Sequence, residues 1–248
     1  MTNPVWLVLG ASSAIERAFA RAAAAQGADV LLAARDLADA QATAADIAIR
    51  TGRRAEAVKF DALDEAAQDE LVAWAREFAG GGTLNVFLAF GTMPEQAALD
   101  ADPPRVAAVI GANFTMAAAL LHRLAPVLEA QGAGAIVALG SVAGDRGRLK
   151  NYVYGAAKAG LHAYLQGLRA RLCRKGVHVA TIKPGFVDTA MTWGLPGMFL
   201  VASPEAIAAA CLAAAAKKRD VVYAPAFWWG IMTIIRHIPE RIFKKLNI

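Results

Sequence analysis

Cysteine is scarce, with 2 in 248 residues, and histidine and tyrosine number only 4 each. Cys173 and Cys211 show no framework spacing, which excludes a disulfide scaffold and leads us to expect two reduced core thiols. His122, His162, His178 and His237 are scattered without ligand spacing, so no metal is implied and all four are read as surface or satisfied histidines. Long apolar runs are missing too. The most apolar tract, Val221 to Ile235, is broken by Pro225 and Gly230 and falls short of the ~20 residues of a spanning helix. The opening MTNPVWLVLG has neither a basic region nor a cleavage site, so no export signal is expected and the chain is assigned to the cytoplasm.

What is present is a core-forming composition, 57% hydrophobic and 19% charged, which excludes intrinsic disorder. The net charge of +5 permits a phosphate-bearing ligand or an anionic membrane surface. No aromatic–basic sheet pattern supports nucleic-acid binding.

Short β-branched or Leu-rich runs alternate with Ala-rich helical runs to about residue 225. Strands are predicted at Val5–Leu9, Asp29–Ala33, Ala55–Phe60, Val86–Phe90, Ala135–Leu139, Val177–Ile182 and Val221–Tyr223. Helices are predicted at Ser13–Gln26, Leu37–Arg50, Glu65–Phe78, Phe114–Glu129, Tyr154–Arg174 and Pro204–Ala216, the last with Ser203 as N-cap. Continuous apolar strands joined by crossover helices imply an α/β fold with a doubly wound parallel sheet. We expect one domain over residues 1–225 and an aromatic, then basic, tail over 226–248.

The first strand runs into Gly10-Ala11-Ser12-Ser13-Ala14-Ile15-Glu16, a turn of mostly small residues that would set backbone N–H groups and a helix N-terminus beside a pyrophosphate. An ordinary loop with a serine N-cap is the plainer alternative. After the second strand, Arg35 suits a 2′-phosphate and so favours NADP(H), whereas Asp36 suits a 2′-hydroxyl or simply caps the next helix, leaving NAD(H) open. Tyr154 and Lys158, spaced i,i+4, share a helical face. Lowering a phenol by two or three pKa units from ~10 takes roughly 3–4 kcal/mol, which a buried cation can supply. Tyr154 could then exchange a proton with a carbonyl or alcohol oxygen that Ser141, at the end of a strand, also hydrogen-bonds.

The order GASSAI, Asn113, LGSVAG with Ser141, YGAAKAG with Tyr154 and Lys158, then KPGFVDT at 183–189 resembles the short-chain dehydrogenase/reductases over about residues 4–225. The resemblance implies a Rossmann-like, nicotinamide-dependent oxidoreductase interconverting a ketone and a secondary alcohol. It implies Tyr154 as general acid/base, Lys158 as the residue that orients the nicotinamide ribose and lowers the phenol's pKa, Ser141 as carbonyl positioner and Asn113 as support for a proton relay. It implies cofactor contacts at Gly10, Ser12, Ser13, Ile15, Arg35, Asp61, Ala89, Gly91, Tyr154, Lys158, Pro184, Gly185, Val187 and Thr189. A homodimer or homotetramer through the Phe114–Glu129 and Tyr154–Arg174 helices is implied in the same way.

Two motifs depart from the family's pattern. Its TGxxxGxG turn is here Leu9, Gly10, Ala14 and Glu16, and its NNAG is Ala89-Phe90-Gly91-Thr92. A carboxylate near a pyrophosphate is unfavourable unless Glu16 points away.

LAFGTMPEQ, KPGFVDT and the tail WWGIMTIIRHIPERIFKKL resemble a subgroup that reduces a keto-sugar carried on a polyprenyl phosphate, as the decaprenylphosphoryl-ketopentose reductases do. In the tail, Ile242, Phe243 and Leu246 could face a bilayer with Arg241, Lys244 and Lys245 around them, giving peripheral contact with the inner face of the membrane. The alternative is a tail that packs over the substrate pocket. Residues 186–201 are expected to form a substrate lid with an apolar wall. Arg146 and Arg148 are read as solvated charge, although they follow Ser141 and could meet an anionic substrate. The other functional readings are a catalytically silent binding or partner subunit and a membrane-peripheral scaffold.

Overall fold

Three five-residue runs, apolar except for Asn85 and buried end to end, make the centre of the sheet: VWLVL, LNVFL and AIVAL. The computed structural model describes residues 3–194 and 197–247. Its strands are β1 (Val5–Leu9), β2 (Asp29–Ala34), β3 (Ala55–Lys59), β4 (Leu84–Leu88), β5 (Ala135–Leu139), β6 (His178–Pro184) and β7 (Val221–Ala224). All pair in parallel in the order β3-β2-β1-β4-β5-β6-β7. The order reverses between β1 and β4, where Leu9 pairs with both Ala33 and Leu88, so the ligand crevice of such a sheet lies at the carboxyl ends of these strands.

The period-2 alternation of β1 divides the core. Trp6 and Val8 face α1 (Ala14–Ala25), α2 (Leu37–Thr51) and α8 (Pro204–Ala216), with Phe19 stacked on Phe87 at 3.8 Å between ring centroids. Val5, Leu7 and Leu9 face α3 (Glu65–Ala79), α6 (Met116–Gln131) and α7 (Tyr152–Leu172) through Leu71, Leu120, Leu124, Leu161 and Leu165. Each fully buried Leu or Phe contributes roughly 1.5–3 kcal/mol. As expected, Ser203 caps α8, accepting from the Ala206 N–H at 3.2 Å, with Pro204 in the first turn.

The structure differs from the sequence expectations in several places. β4 begins two residues earlier than predicted, because Leu84 pairs with Val5 at the start of the β1 ladder. Two short helices, α4 (Gln96–Asp100) and α5 (Pro103–Ile110), lie in a stretch where no particular element was named from the sequence. A π-helical turn, Gly111–Thr115, joins α5 to α6. The run Pro103–Gln131 is long and apolar enough to cross a membrane, yet Leu120, Leu121 and Leu124 are fully buried in the core. Cys211 is buried as expected, but Cys173 is exposed, because it falls in the 3-10 turn that ends α7 rather than on its packed face.

The tail folds back. α9 (Trp228–His237) buries Trp228 and Met232 against Val142, while α10 (Glu240–Phe243) buries Phe243. An amphipathic helix through Leu246 does not form, and Phe243 is spent on the protein rather than on a lipid face. Arg146, expected to be solvated, holds this tail. Its guanidinium donates to the carbonyls of Ile235, Arg236 and Ile238, pairs with Glu240 at 2.8 Å and lies over the Phe243 ring at 3.7 Å. In the expected lid, Phe186 and Phe199 pack on Trp228 while Trp193 is 84% exposed; Leu195 and Pro196, and Ile248 at the end of the tail, lie outside the described residues.

Candidate active site

Ser141 follows β5 after Gly140, and its hydroxyl accepts from the Ala143 N–H at 3.1 Å, closing the 3-10 turn Val142–Asp145. Its own N–H donates to His162 Nε2 at 3.3 Å. Tyr154, on the first turn of α7, is buried beside Ser141. Burial pushes its phenol up to about 12, and the Ser141 hydroxyl and the Arg148 charge pull against that rise.

Lys158 is 3% exposed and donates to the Leu139 carbonyl at 3.0 Å, with its ammonium 5.8 Å from the centre of the Tyr154 ring. Burial lowers it to about 8, opposed by Glu16. Lys158, expected to lower the phenol, ties its ammonium to the end of β5 while staying 5.8 Å from the centre of the Tyr154 ring, and burial outweighs the groups that pull the phenol down. Tyr152, a second phenol in the first turn of α7, is exposed and bonded to Asp100 instead.

Asn113 sits in the π-helical turn, fully buried. Its amide donates to Thr92 O at 2.7 Å and Val109 O at 2.9 Å and accepts from Thr92 N–H at 3.3 Å. Thr92 thus clamps Asn113 where the NNAG pattern is absent. A Cβ on Gly91 would collide with Asn113 Oδ1 and come within 3.7 Å of Lys158 Nζ, so the missing side chain lets these two groups pack against the end of β4. Ala89 is half-buried beside it.

At the first turn Gly10 takes φ +98°, a conformation few other residues accept, and its Cβ would meet the Phe90 backbone at 3.1 Å. Ser12 and Ser13 are exposed, and Ser13 makes no side-chain cap on α1, so the amides of its first turn, including Ile15, are not capped by it. Glu16 does not reach into solvent. It is 2% exposed, with Oε1 2.8 Å from the place a Gly10 Cβ would occupy. Burial raises its carboxyl to about 8, against its own backbone amide, Lys158 and Arg17, so it is mostly uncharged at neutral pH.

Arg35 is exposed at the end of β2, while Asp36 caps α2, accepting from Asp39 N–H at 3.1 Å. The capping alternative therefore accounts for Asp36. Asp61 is exposed after β3 and accepts from Leu63 N–H at 3.0 Å. Pro184 ends β6. Gly185 N–H donates to Ala224 O at 3.2 Å, Val187 bridges to Ala202, and Thr189 lines a cleft of about 720 Å³ with Ala14, Asp188 and Ser203.

Two groups escaped the sequence reading. Asp145, almost fully buried, binds Lys183 Nζ and the Tyr223 hydroxyl, each at 2.5 Å, and lies 3.7 Å from His162 Nδ1. Trp228 covers Gly185 so closely that a Cβ there would overlap its indole. Only the LGSVAGDR run beside Ser141 carried a signal for Asp145, while Trp228 belongs to the tail whose packing over the pocket was one of the two sequence alternatives, though its place on Gly185 was not foreseen.

A nicotinamide dinucleotide fits these residues: the tight Gly10 turn and the α1 N-terminus without a Ser13 side-chain cap suit a pyrophosphate, with Gly91, Asn113 and Lys158 grouped beyond them. Fold and site together define a dinucleotide-type oxidoreductase. Residues 4–197 match the family model for short chain dehydrogenase, and the chain belongs to that family. It is 35% identical over 247 residues to an uncharacterised oxidoreductase of Mycobacterium tuberculosis, covering 97% of this chain and 96% of the relative. It is 34% identical over 244 residues to one of Streptomyces coelicolor, covering 98% and 95%. A short-chain dehydrogenase from Sphingobium yanoikuyae, solved in complex with NADPH, superposes with a TM-score of 0.80 at 25% identity, over 98% of this chain and 96% of that one.

Proposed function

We propose that the protein interconverts a ketone and a secondary alcohol with NADP(H), on a hydroxylated, sugar-like substrate that includes sugars linked to a polyprenyl phosphate. The observation that carries this reading is the buried Tyr154 phenol set beside Ser141 and on the same helix face as Lys158, which meets Asn113 at Gly91. When bound, the nicotinamide supplies the hydride exchange. Tyr154 gives or takes the proton at the reacting oxygen, and Ser141 hydrogen-bonds that oxygen. Lys158 holds the nicotinamide ribose, and Asn113 supports the path by which Tyr154 is reprotonated. Gly10, Ser12, Ser13 and Ile15 face the pyrophosphate, Arg35 the 2′-phosphate, Asp61 and Ala89 the adenosine side, and Gly91, Pro184, Gly185, Val187 and Thr189 the nicotinamide side.

Arg35 is exposed and free for a phosphate while Asp36 is engaged in capping, which favours NADP(H) over NAD(H). The reading includes a cytoplasmic homodimer or homotetramer formed through α6 and α7. Titration of the protein with NADPH and NADH tests it. Selective NADPH binding that Arg35→Ala weakens more than NADH binding supports the reading; binding of neither nucleotide favours a silent partner subunit, for which the buried Glu16 in the turn is the one observation.

A further inference from the structure

One buried cluster of titratable side chains has no part in the proposed reaction: His162, Asp145, Lys183 and Tyr223. His162 follows Tyr154 and Lys158 along α7 at i, i+4 and i+8, so the three share one face of the helix. Lys158 and His162 hold adjacent points of the same strand end. Lys158 Nζ donates to Leu139 O at 3.0 Å, and His162 Nε2 accepts from the Ser141 N–H at 3.3 Å.

The Gly140 N–H still belongs to the sheet, donating to Ile182 O at 2.7 Å, but β5 ends at Leu139 and the next amide must find its acceptor elsewhere. An unpaired N–H in the interior costs about 1–3 kcal/mol. The imidazole supplies the acceptor from inside the turn. A Cβ on Gly140 would overlap Nε2, and one on Gly144 would come within 2.7 Å of Cε1, so the chain from Gly140 to Gly144 is wrapped on the ring. One turn of helix before Lys158, a Cβ on Gly155 would lie 2.9 Å from Ala143 O. The loop that carries Ser141 is therefore fitted to the helix that carries Tyr154.

An imidazole that accepts at Nε2 holds its proton on Nδ1. That nitrogen lies 3.7 Å from Asp145 Oδ1, whose negative charge favours the proton there. Lys183 Nζ and the Tyr223 hydroxyl, each at 2.5 Å, fix the carboxylate in turn. Asp145, His162 and Ser141 are the residue types of a hydrolytic triad, but Nε2 meets the serine amide while the hydroxyl accepts from the Ala143 N–H, so the ring orients the serine and does not deprotonate it.

We infer that His162 is a positioning residue for the reduction: it fixes the Ser141 backbone, and through it the hydroxyl that hydrogen-bonds the reacting oxygen, in register with Tyr154, and Asp145 selects the tautomer that allows this. The inference rests on the proposed oxidoreductase reading, and its test separates the two.

With NADPH saturating, kcat and KM are measured for phenanthrenequinone, an activated diketone, and for a ketopentose. The proteins are wild type, His162→Leu, His162→Gln, Ser141→Ala and the double variant carrying Ser141→Ala and His162→Leu, with NADPH affinity as the check on folding. His162→Leu should lower kcat about tenfold to a hundredfold with NADPH affinity unchanged. His162→Gln, whose amide oxygen can accept from the Ser141 N–H, should restore most of that loss. In the Ser141→Ala background His162→Leu should cost little more, because a residue that acts through the serine hydroxyl has nothing left to position. Equal fractional losses in the two backgrounds, or an unchanged kcat in His162→Leu, overturn the inference. NMR of the wild-type imidazole nitrogens needs neither a variant nor turnover: a neutral ring protonated on Nδ1 supports the inference, and one protonated on Nε2 overturns it. If wild type binds NADPH and reduces neither ketone, the oxidoreductase reading fails, whereas turnover that His162→Leu leaves intact defeats the inference alone.

Discussion

The backbone N–H of Ser141 donates to the imidazole Nε2 of His162 at 3.3 Å, so the loop carrying the candidate catalytic serine is anchored to the middle of α7. The other ring nitrogen faces Asp145, which Lys183 and Tyr223 tie to the ends of β6 and β7. Arg146, the next residue, reaches the opposite way and pins the tail. The Ser141 loop is thus fastened on both sides.

Because Nε2 accepts, His162 must be neutral, and burial together with the Lys183 charge lowers its pKa to about 3 from 6.5. Its contribution to stability is complete above pH 6.5 and is lost as pH falls from 6.5 towards 3, with a slope of at most about 1.4 kcal/mol per pH unit. Thermal melts across this range should show that loss in wild type and a flatter profile in His162→Gln. At pH 7, His162→Leu strands the Ser141 N–H and should cost about 1–3 kcal/mol. Equal pH profiles for wild type and His162→Gln would remove His162 as the titrating group.

Glu16 works in the opposite sense. Its folded pKa of about 8 lies above the ordinary 4.5, so folding is favoured when the group is protonated, and that stability is lost as pH rises from 4.5 to 8. Glu16→Gln should remove this loss. NADPH affinity in wild type should fall as pH passes 8 and a carboxylate forms beside the turn, and the difference between wild type and Glu16→Gln should grow over the same interval. A constant difference from pH 6 to 9 would count against a role for the charge.

Gly185 is required by the tail. A Cβ there would enter the Trp228 indole, so Gly185→Ala should displace α9 and cost about 1–3 kcal/mol in chemical denaturation. Faster proteolysis after residue 225 should accompany it. An unchanged midpoint and cleavage rate would mean that the indole does not rest on the turn.

Tyr154→Phe should lower kcat by about a hundredfold to ten-thousandfold with little change in NADPH affinity. Since the Arg148 charge pulls the phenol down from a value raised by burial, Arg148→Gln should also move the alkaline limb of the kcat profile upward. Substantial turnover by the Phe variant would defeat the acid/base assignment.

Periodicity and local chemistry determined the alternating α/β pattern, the extents of β1 and β5, the caps at Asp36 and Ser203, and the spacing that sets Tyr154 and Lys158 on one helix face. These depend on neighbours within a few residues, which a sequence displays. Tertiary structure alone decided that β4 starts at Leu84, since register comes from pairing with β1. It decided that Lys158 bonds Leu139, that burial raises the Tyr154 phenol, that Glu16 is buried with its carboxyl raised to about 8, and that Phe243 packs under Arg146. Charge state, burial and partner choice depend on what folds over a side chain from far along the chain, and linear spacing carries no record of it.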